Sequence, residues 1–492
     1  MKLAELFDYM TDLPDVEVKG LAIDSRKVVP GDMFFCLVGY ELDGHSFAKM
    51  AAEKGAAAIV ISHPVEEMEG VAYVKVDDTR AELSRVCRVF FGDHAEKLVL
   101  FGATGTNGKS TTTSIISDVF STKLPCGYIG TIAVRYGDVV EEAHLTTPDQ
   151  VELHHVLTRM ADHGMKAAAI EVSSQGLMNG RLDTIDFDCA IFTNLTHDHL
   201  DYHKTMEAYL DAKKMLFDRV RPGGSAVLNQ DDLLSIDELK KYCAARGVRT
   251  VTYGTGKNGG ADYMAADIDY RPDGTAFTLL AKGAEYRVET NLVAEFNVYN
   301  LLAAIAAMHE CGMAIEDMLE PVKDIPQVEG RIERIDEGQD FTVVVDYSHT
   351  PDGYLKMFEY AANIAAQGHD IYALIGNDGD RDHTKLPEMG RIAASFAKEV
   401  ILTTQDPRTE DAAQVCKEMA DGMAGLPCRH SFIRDREEAV KRTIDLAGPG
   451  DVVLLLGKGD DTYMYIGKGY VPFAGDHVIA HEYLKEKFGG RK

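Results

Sequence analysis

The stretch Leu98-Val99-Leu100-Phe101-Gly102-Ala103-Thr104-Gly105-Thr106-Asn107-Gly108-Lys109-Ser110 carries the most specific chemistry in this sequence. Glycines let a backbone wrap a polyphosphate with its N–H groups, and a helix starting at the same point adds positive potential. A lysine in that position reaches the β- and γ-phosphates, and a serine hydroxyl can hold Mg²⁺. Gly105, Thr106, Asn107, Gly108, Lys109, Ser110 and Thr111 are therefore the expected binders of ATP or GTP phosphates. Ala103 stands where the general phosphate-loop pattern has its first glycine.

A second polar cluster, Thr193-Asn194-Leu195-Thr196-His197-Asp198-His199-Leu200-Asp201-Tyr202-His203, closes an apolar run that begins at Cys189. Open α/β sheets place ligands just beyond the C-terminal ends of their strands, which is where these histidines and aspartates stand. Glu171, ending the apolar run from Ala167, reaches the same edge. A carboxylate plus an imidazole beside a phosphate loop could bind a second divalent cation. The stretch Tyr209 to Phe217 reads as a helix with adjacent lysines, Lys213 and Lys214, which alone signals only a solvated face.

These residues need strands to aim them. The run Leu98 to Phe101 reads as a buried strand, and a helical pattern follows the loop through Phe120. Three segments separate along the chain. Residues 1–95 hold Asp24-Ser25-Arg26, the turn Pro30-Gly31-Asp32 and the strand-like Met33 to Val38, suggesting a small α/β domain. Residues 96–330 alternate short apolar strands (Ala167 to Val172, Cys189 to Thr193, Gly224 to Leu228) with helical patterns, the order expected of a parallel sheet. Residues 331–492 show strands at Phe341 to Val345, Ile371 to Ile375, Val400 to Thr404 and Val452 to Leu456, a Rossmann-like spacing. No G-x-G-x-x-G follows the first of them, so a dinucleotide is not indicated.

The bulk composition excludes several classes. The 51 lysines and arginines face 79 acids, for a net charge of −28, and no dense basic face is available for a nucleic-acid backbone. No apolar run approaches the roughly 20 residues that span a bilayer, so no membrane insertion is expected. The opening Met-Lys-Leu-Ala-Glu-Leu-Phe-Asp turns acidic too early for a secretory signal, and a cytoplasmic protein is the expectation. Eight scattered cysteines without a C-x-x-C pair argue for reduced, mostly buried thiols.

Taken together, Thr104 to Thr113, Glu171-Val172-Ser173-Ser174, Thr193-Asn194-Leu195 with Asp198-His199-Leu200-Asp201, and Phe296-Asn297-Val298-Tyr299-Asn300 resemble the Mur ligase family. Gly330-Arg331 and Asp346-Tyr347-Ser348-His349-Thr350-Pro351-Asp352 continue the match in order. Asp24-Ser25-Arg26, Gly39-Tyr40-Glu41-Leu42-Asp43-Gly44-His45 and Thr146-Thr147-Pro148-Asp149 point to the branch that adds the third stem-peptide residue of peptidoglycan. The resemblance implies three α/β domains: a UDP-MurNAc-binding domain, a central ATP-binding domain and a Rossmann-like domain for the amino acid. It implies that ATP phosphorylates the D-Glu γ-carboxylate of UDP-MurNAc-L-Ala-D-Glu and that an incoming amine displaces phosphate. Two Mg²⁺ ions and Lys109 would clamp the anions. Ser110 and Glu171 would serve the metals, with His199 on the second, and Lys213 would be the lysine that relatives carry as a carbamate. Asn297 and Asn300 would face adenine, and Arg331, Asp346 and His349 the ribose and phosphates. Ser25, Thr146, Thr147, Ser173, Asn179 and Arg181 would hold the UDP-sugar and dipeptide. The family also implies a monomer.

The amino-acid pocket falls on Arg381 of Gly379-Asp380-Arg381-Asp382, on Asp406 and Arg408 of Gln405-Asp406-Pro407-Arg408, and on Gly457 and Asp461 of Gly457-Lys458-Gly459-Asp460-Asp461. The guanidinium of Arg408 suits the second carboxylate of meso-diaminopimelate, which it can grip bidentately. Asp406 stands where the family has asparagine, and Asp460-Asp461 where it has His-Glu; such extra acids favour the cationic end of L-lysine. The reading leans to meso-diaminopimelate, with L-lysine the alternative. A folylpolyglutamate-synthetase-like ligase and a P-loop ATPase switch are the remaining alternatives; the first lacks a domain like the one containing Ser25, and the second should need neither the third segment's amino-acid motifs nor a carbamate lysine.

Overall fold

The computed structural model describes residues 1–39, 42–92, 94–143, 145–271, 273–365 and 368–489. Tyr40 and Glu41, part of the expected Gly39–His45 motif, lie outside the described residues. Among the described residues the strands form three large sheets and one small hairpin.

The first sheet is four-stranded and all parallel, in the order Gly20–Ala22, Asp32–Phe35, Ala58–Ile61, Ala72–Lys75. Its short strands are apolar on both faces because helices cover both, as parallel sheets require. The helix Thr79–Phe91 leads out of it, capped by Asp78, whose carboxylate accepts from Arg80 N and Ala81 N.

The second sheet has eleven strands. Its core runs parallel from Tyr263–Arg271 through Arg249–Gly254, Val220–Asn229, Phe187–Phe192, Val99–Thr104 and Ala167–Glu171 to Cys126–Ile129. The parallel sheet expected from the sequence is thus the centre of a mixed one. Antiparallel ribbons extend both edges: Gly274–Ala281 with Ala284–Thr290 on one side, Ala133–Tyr136 with Val139–Glu142 on the other. The outermost of these, Val139–Glu142 and Ala284–Thr290, are half exposed and carry charged residues, so they lack the continuous apolar runs that betray buried parallel strands. The helix Glu295–Glu310 is apolar around most of its circumference, with Leu301 to Met308 fully buried between the sheet and the helix Lys109–Phe120.

The third sheet runs Glu333–Ile335, Thr342–Asp346, Val452–Leu456, Ile371–Ile375, Glu399–Thr403, Arg429–Ile433, parallel except for its first strand. The hairpin Tyr463–Ile466 and Gly469–Pro472 follows. A fully buried ion pair, Arg436 Nη2 to Asp476 Oδ2 at 2.6 Å, locks the last helix, Asp476–Phe488, against the helix Arg436–Asp445. Arg436 also donates to the carbonyls of Thr404 and Leu456, so every part of the buried guanidinium is used.

Candidate active site

Three neighbouring strands of the large sheet end at the phosphate loop. Val99–Thr104 lies between Phe187–Phe192 and Ala167–Glu171, and the residues following all three converge. The strand continues past the expected Phe101 to Thr104, so Ala103 is still paired with Ile191 and Glu171 and needs no glycine. Gly108 starts the helix Lys109–Phe120 in a left-handed conformation, φ 85°, with Asn300 packed where a side chain would stand. The loop is held from behind: Thr193 Oγ1 donates to Asn107 O at 2.6 Å, and Asn194 Oδ1 accepts from Asn107 N at 2.9 Å.

Lys109 donates to the carbonyls of Gly105 and Thr106, and burial lowers its pKa. Ser110 Oγ donates to Glu171 Oε2 at 2.9 Å. Glu171 is fully buried and also accepts from Tyr128 Oη, Thr131 N and Thr131 Oγ1 at 2.5, 2.9 and 3.3 Å. Thr131 continues the network to Thr146, while Thr147 Oγ1 donates to Glu171 O and receives Ser173 N–H. Arg181 donates to Thr147 O.

His199 starts the short helix Leu200–His203 at φ 54° and faces Asp198 at 3.3 Å. Burial lowers its pKa to about 4, so the imidazole is neutral at physiological pH and available as a ligand. Lys213 and Lys214 part company in the helix Met206–Lys214. Lys214 is turned to Asp211 and Glu238, whereas Lys213 is buried, lies 4.1 Å from the centre of the Tyr209 ring and lines the same cavity as the phosphate loop. Desolvation first and the nearby Lys109 charge second push the Lys213 pKa well down, which favours a neutral amine.

The third sheet turns the C-terminal ends of its strands toward this place. Together the two edges line a cavity of about 1430 Å³. Gly105 to Thr111, Glu171, His199, Lys213, Asn297, Asn300, Arg331, Asp346, His349, Thr146, Ser173, Arg181, Arg381, Asp406, Arg408 and Asp461 all line it. Ser25, Thr147, Asn179 and Gly457 stand outside that lining. Ser25 is buried in the first domain, its hydroxyl against Met50 Sδ, and Asn179 uses its amide to cap its own helix at Gln175 O. Gly457 donates its N–H to Asp346 O, joining the ends of two strands. Asn297 Oδ1 accepts from Asn300 Nδ2 at 3.0 Å, which fixes the pair on one helix face. Asp346 accepts from Ile332 N and Ser348 N at 2.8 Å each, and the Arg331 guanidinium lies over the Tyr347 ring.

Several residues beyond the sequence-derived set belong to this arrangement. Asp198 is a hub: Lys385 donates to its Oδ1 at 3.1 Å and His349 Nε2 stands 3.6 Å from its Oδ2. Both partners come from the third sheet's side of the cavity, and Asp198 and Lys385 are each buried. Burial opposes its ionisation, but Lys385, His199 and His349 together outweigh that and hold the Asp198 carboxyl well below its usual range. His197 pairs with Asp382 at 2.8 Å, and Arg381 approaches Asp201 at 3.6 Å, so Arg381 faces the central domain rather than only the amino-acid pocket. Lys458, fully buried, donates to both oxygens of Asp406 and to Asp461 Oδ2. Asp198 was visible in the histidine cluster. Nothing in the spacing marks Lys385, and Lys458 was concealed because sequence charges can be summed but not paired.

A phosphate loop with a buried carboxylate at its serine, facing a second sheet edge rich in paired acids and arginines, is the architecture of an ATP-dependent ligase, and the chain belongs to the Mur ligase family. The model for the family's catalytic domain matches residues 17–91, the Mur ligase middle domain 103–308, and the Mur ligase glutamate ligase domain 330–459. The chain is 41% identical over 479 residues to the UDP-N-acetylmuramoyl-L-alanyl-D-glutamate–2,6-diaminopimelate ligase of Geobacillus kaustophilus, covering 96% of each chain. It is 39% identical over 505 residues to the enzyme of the same name from Bacillus cereus, covering 100% of this chain and 99% of that one. A solved structure of a ligase with that name aligns over 99% of both chains with a TM-score of 0.68 and 31% identity.

Proposed function

We propose that this chain is the ATP-dependent ligase that joins meso-diaminopimelate to the D-Glu γ-carboxylate of UDP-MurNAc-L-Ala-D-Glu, the step that adds the third stem-peptide residue of peptidoglycan. One observation carries this reading: the phosphate loop with Glu171 and the Asp406–Arg408 segment, remote in sequence, line a single cavity. The full-length likeness to diaminopimelate ligases supports it. A nucleotide-driven switch has no use for the second wall. The folylpolyglutamate alternative shares that wall and loses ground instead on the first domain, which holds Ser25.

In this reading residues 1–95 and the adjoining Thr146, Thr147, Ser173, Asn179 and Arg181 bind the UDP-sugar and dipeptide, with Ser25 at the uracil. Residues 96–330 bind ATP, and residues 331–492 bring the amino acid. A γ-carboxylate oxygen attacks the γ-phosphorus of ATP and ADP leaves. The amine then attacks the acyl carbon, loses a proton, and phosphate departs. Lys109 neutralises the phosphates through both stages. Asn297 and Asn300 face adenine, and Arg331, Asp346 and His349 the ribose and phosphates.

The donor set fits Mg²⁺. Ser110 Oγ and the Glu171 carboxylate are hard oxygen ligands already 2.9 Å apart. Bound there, Mg²⁺ would screen the repulsion between carboxylate and polyphosphate. His199, neutral by burial, would serve a second ion. Lys213 as an ammonium would repel it; as a neutral amine it can take up CO₂, and the resulting carbamate is an anionic oxygen ligand. Cytoplasmic residence fits these soluble substrates and the lack of any membrane-spanning helix among the described residues. A monomer is in keeping with a cavity lined by one chain.

The deciding experiment measures phosphate release with ATP and Mg²⁺. Release that needs both UDP-MurNAc-L-Ala-D-Glu and an amino acid, with meso-diaminopimelate preferred to L-lysine, is expected. Equal ATP hydrolysis without either substrate would sink the ligase reading.

A further inference from the structure

The wall of the cavity that carries Arg408 has more carboxylates than a pocket for a zwitterionic side-chain end should tolerate. Asp378, Asp406 and Asp461 all line it. Counted as free charges, they would favour a side chain ending in a lone ammonium. They are not equally free. Asp406 receives Lys458 Nζ at 3.1 and 3.3 Å and the backbone N–H of Tyr465 at 3.0 Å, so both of its oxygens are engaged from inside the protein. Asp461 yields only Oδ2 to the same ammonium, at 2.8 Å. Lys458 is fully buried behind this wall and is absent from the cavity lining. It would make no contact with a ligand there, and its charge is felt as a neutralisation of the two acids it binds.

The groups in front show what the wall is shaped to read. Arg408 adopts a left-handed backbone, φ 53°, and lays its guanidinium over the Tyr465 ring. Among the described residues its Nε–H and the Oε1 of Gln405, three residues earlier, are buried without a hydrogen-bond partner. Arg408 and Gln405 both line the cavity, a fixed cation and a neutral amide beside Asp461, which suits a ligand end carrying a carboxylate next to an ammonium. A lone ammonium would meet Asp461 and leave the Arg408 guanidinium, 3.7 Å from Asp378, without a ligand carboxylate to grip.

We propose that Lys458 is the residue that sets this pocket's preference for a diamino acid with a distal carboxylate, by cancelling the charge of Asp406 from behind. It is a positioning residue for specificity, and it explains how an aspartate can stand where relatives carry asparagine. The inference rests on the ligase reading above and deepens it. Without Lys458 the wall gains a unit of negative charge, which repels the distal carboxylate and attracts L-lysine.

The test uses the full-length enzyme with ATP, Mg²⁺ and UDP-MurNAc-L-Ala-D-Glu, and reads the ratio of kcat/KM for meso-diaminopimelate to that for L-lysine. Lys458→Met should lower this ratio about tenfold or more, and adding Asp406→Asn to it should bring the ratio back to within about threefold of the parent. Should Lys458→Met fail to fold, Asp406→Asn alone serves, since it removes one acid from the wall while Lys458 still neutralises Asp461, and it should raise the ratio at least about threefold. A ratio unchanged within about twofold in the folded variants, or a loss that Asp406→Asn does not restore, overturns the inference. A parent enzyme that ligates neither amino acid overturns the ligase reading instead.

Discussion

Single side chains decide most of the chemistry, and adjacent ones can have unrelated fates. Lys213 and Lys214 differ by one helical step of about 100°, enough to send one into the cavity and the other to a surface ion pair. The buried lysine has lost its hydration without gaining a carboxylate at contact distance, so its amine is the form that accepts CO₂. Lys213→Ala should therefore reduce ligation by about 100-fold or more, the scale of losing one metal-binding group, and short carboxylic acids should restore part of it. Steady-state kinetics with and without acetate check this; full activity in the unsupplemented variant would remove the carbamate from the mechanism. Glu171 makes the converse point. Its oxygens are aimed by Tyr128 and Thr131, and neither residue stands near it in sequence.

At the scale of elements, the central domain depends on how its edges are tied to its buried helix. Glu310 ends the helix Glu295–Glu310, accepts from Tyr263 Oη at 2.6 Å, and pairs with Lys282 at 2.9 Å and with Arg249. It thereby staples two strands and the turn of the antiparallel ribbon to the helix. Burial acts against ionisation, but the hydrogen bonds from Tyr263, Lys282 and Arg249 prevail and lower its pKa to about 2. A carboxyl depressed in the folded state lends stability above its ordinary pKa near 4.5 and loses it as pH falls toward 2. Glu310→Gln should cost about 1–2 kcal/mol at pH 7, a figure reduced for the exposure of Arg249 and Lys282. Calorimetry across pH should show the gap to the parent closing below about pH 4.5; a gap constant down to pH 3 would contradict the assignment.

At the scale of the whole molecule, the two catalytic walls are held face to face by charges that neither wall needs for its own folding. Asp198–Lys385, His197–Asp382, Arg381–Asp201 and the hydrogen bond from Asn107 to Asp352 all cross the cavity. The first is buried on both sides, so separating the walls must rehydrate it and approaching them must desolvate it. Lys385→Met leaves Asp198 uncompensated in the closed arrangement, while the open one lets water reach it. The expected result is a loss of roughly 30-fold in kcat/KM, about 2 kcal/mol, with Tm nearly unchanged. Small-angle scattering with ATP and dipeptide substrate should show a larger radius of gyration than the parent; an equally compact and active variant would make the pair incidental.

The phosphate loop, the histidine–aspartate cluster and the apolar strands that feed them were legible because each is a local pattern: glycine spacing, helix start and buried strand lie within a few residues. Lys213 over Lys214 followed only from the family's spacing, and the structure supplies the burial behind that choice. The outermost edge strands, Ala284–Thr290 and Val139–Glu142, were not legible, since half-exposed strands carry no continuous apolar run. Ser25 and Asn179 are placed by sequence likeness; their side chains bond within their own segments, while the Asn179 carbonyl accepts from Arg80 of the first segment. What the sequence determined alone was the kind of chemistry, because residue types at short spacing set it. What only the tertiary structure decided was charge: Asp406 read as a surplus acid until Lys458 was found against it, and Asp198 read as one more polar residue until Lys385 reached it from the other wall. Coulombic pairing depends on distances of a few ångströms between residues far apart in the chain, and those distances exist only in the fold.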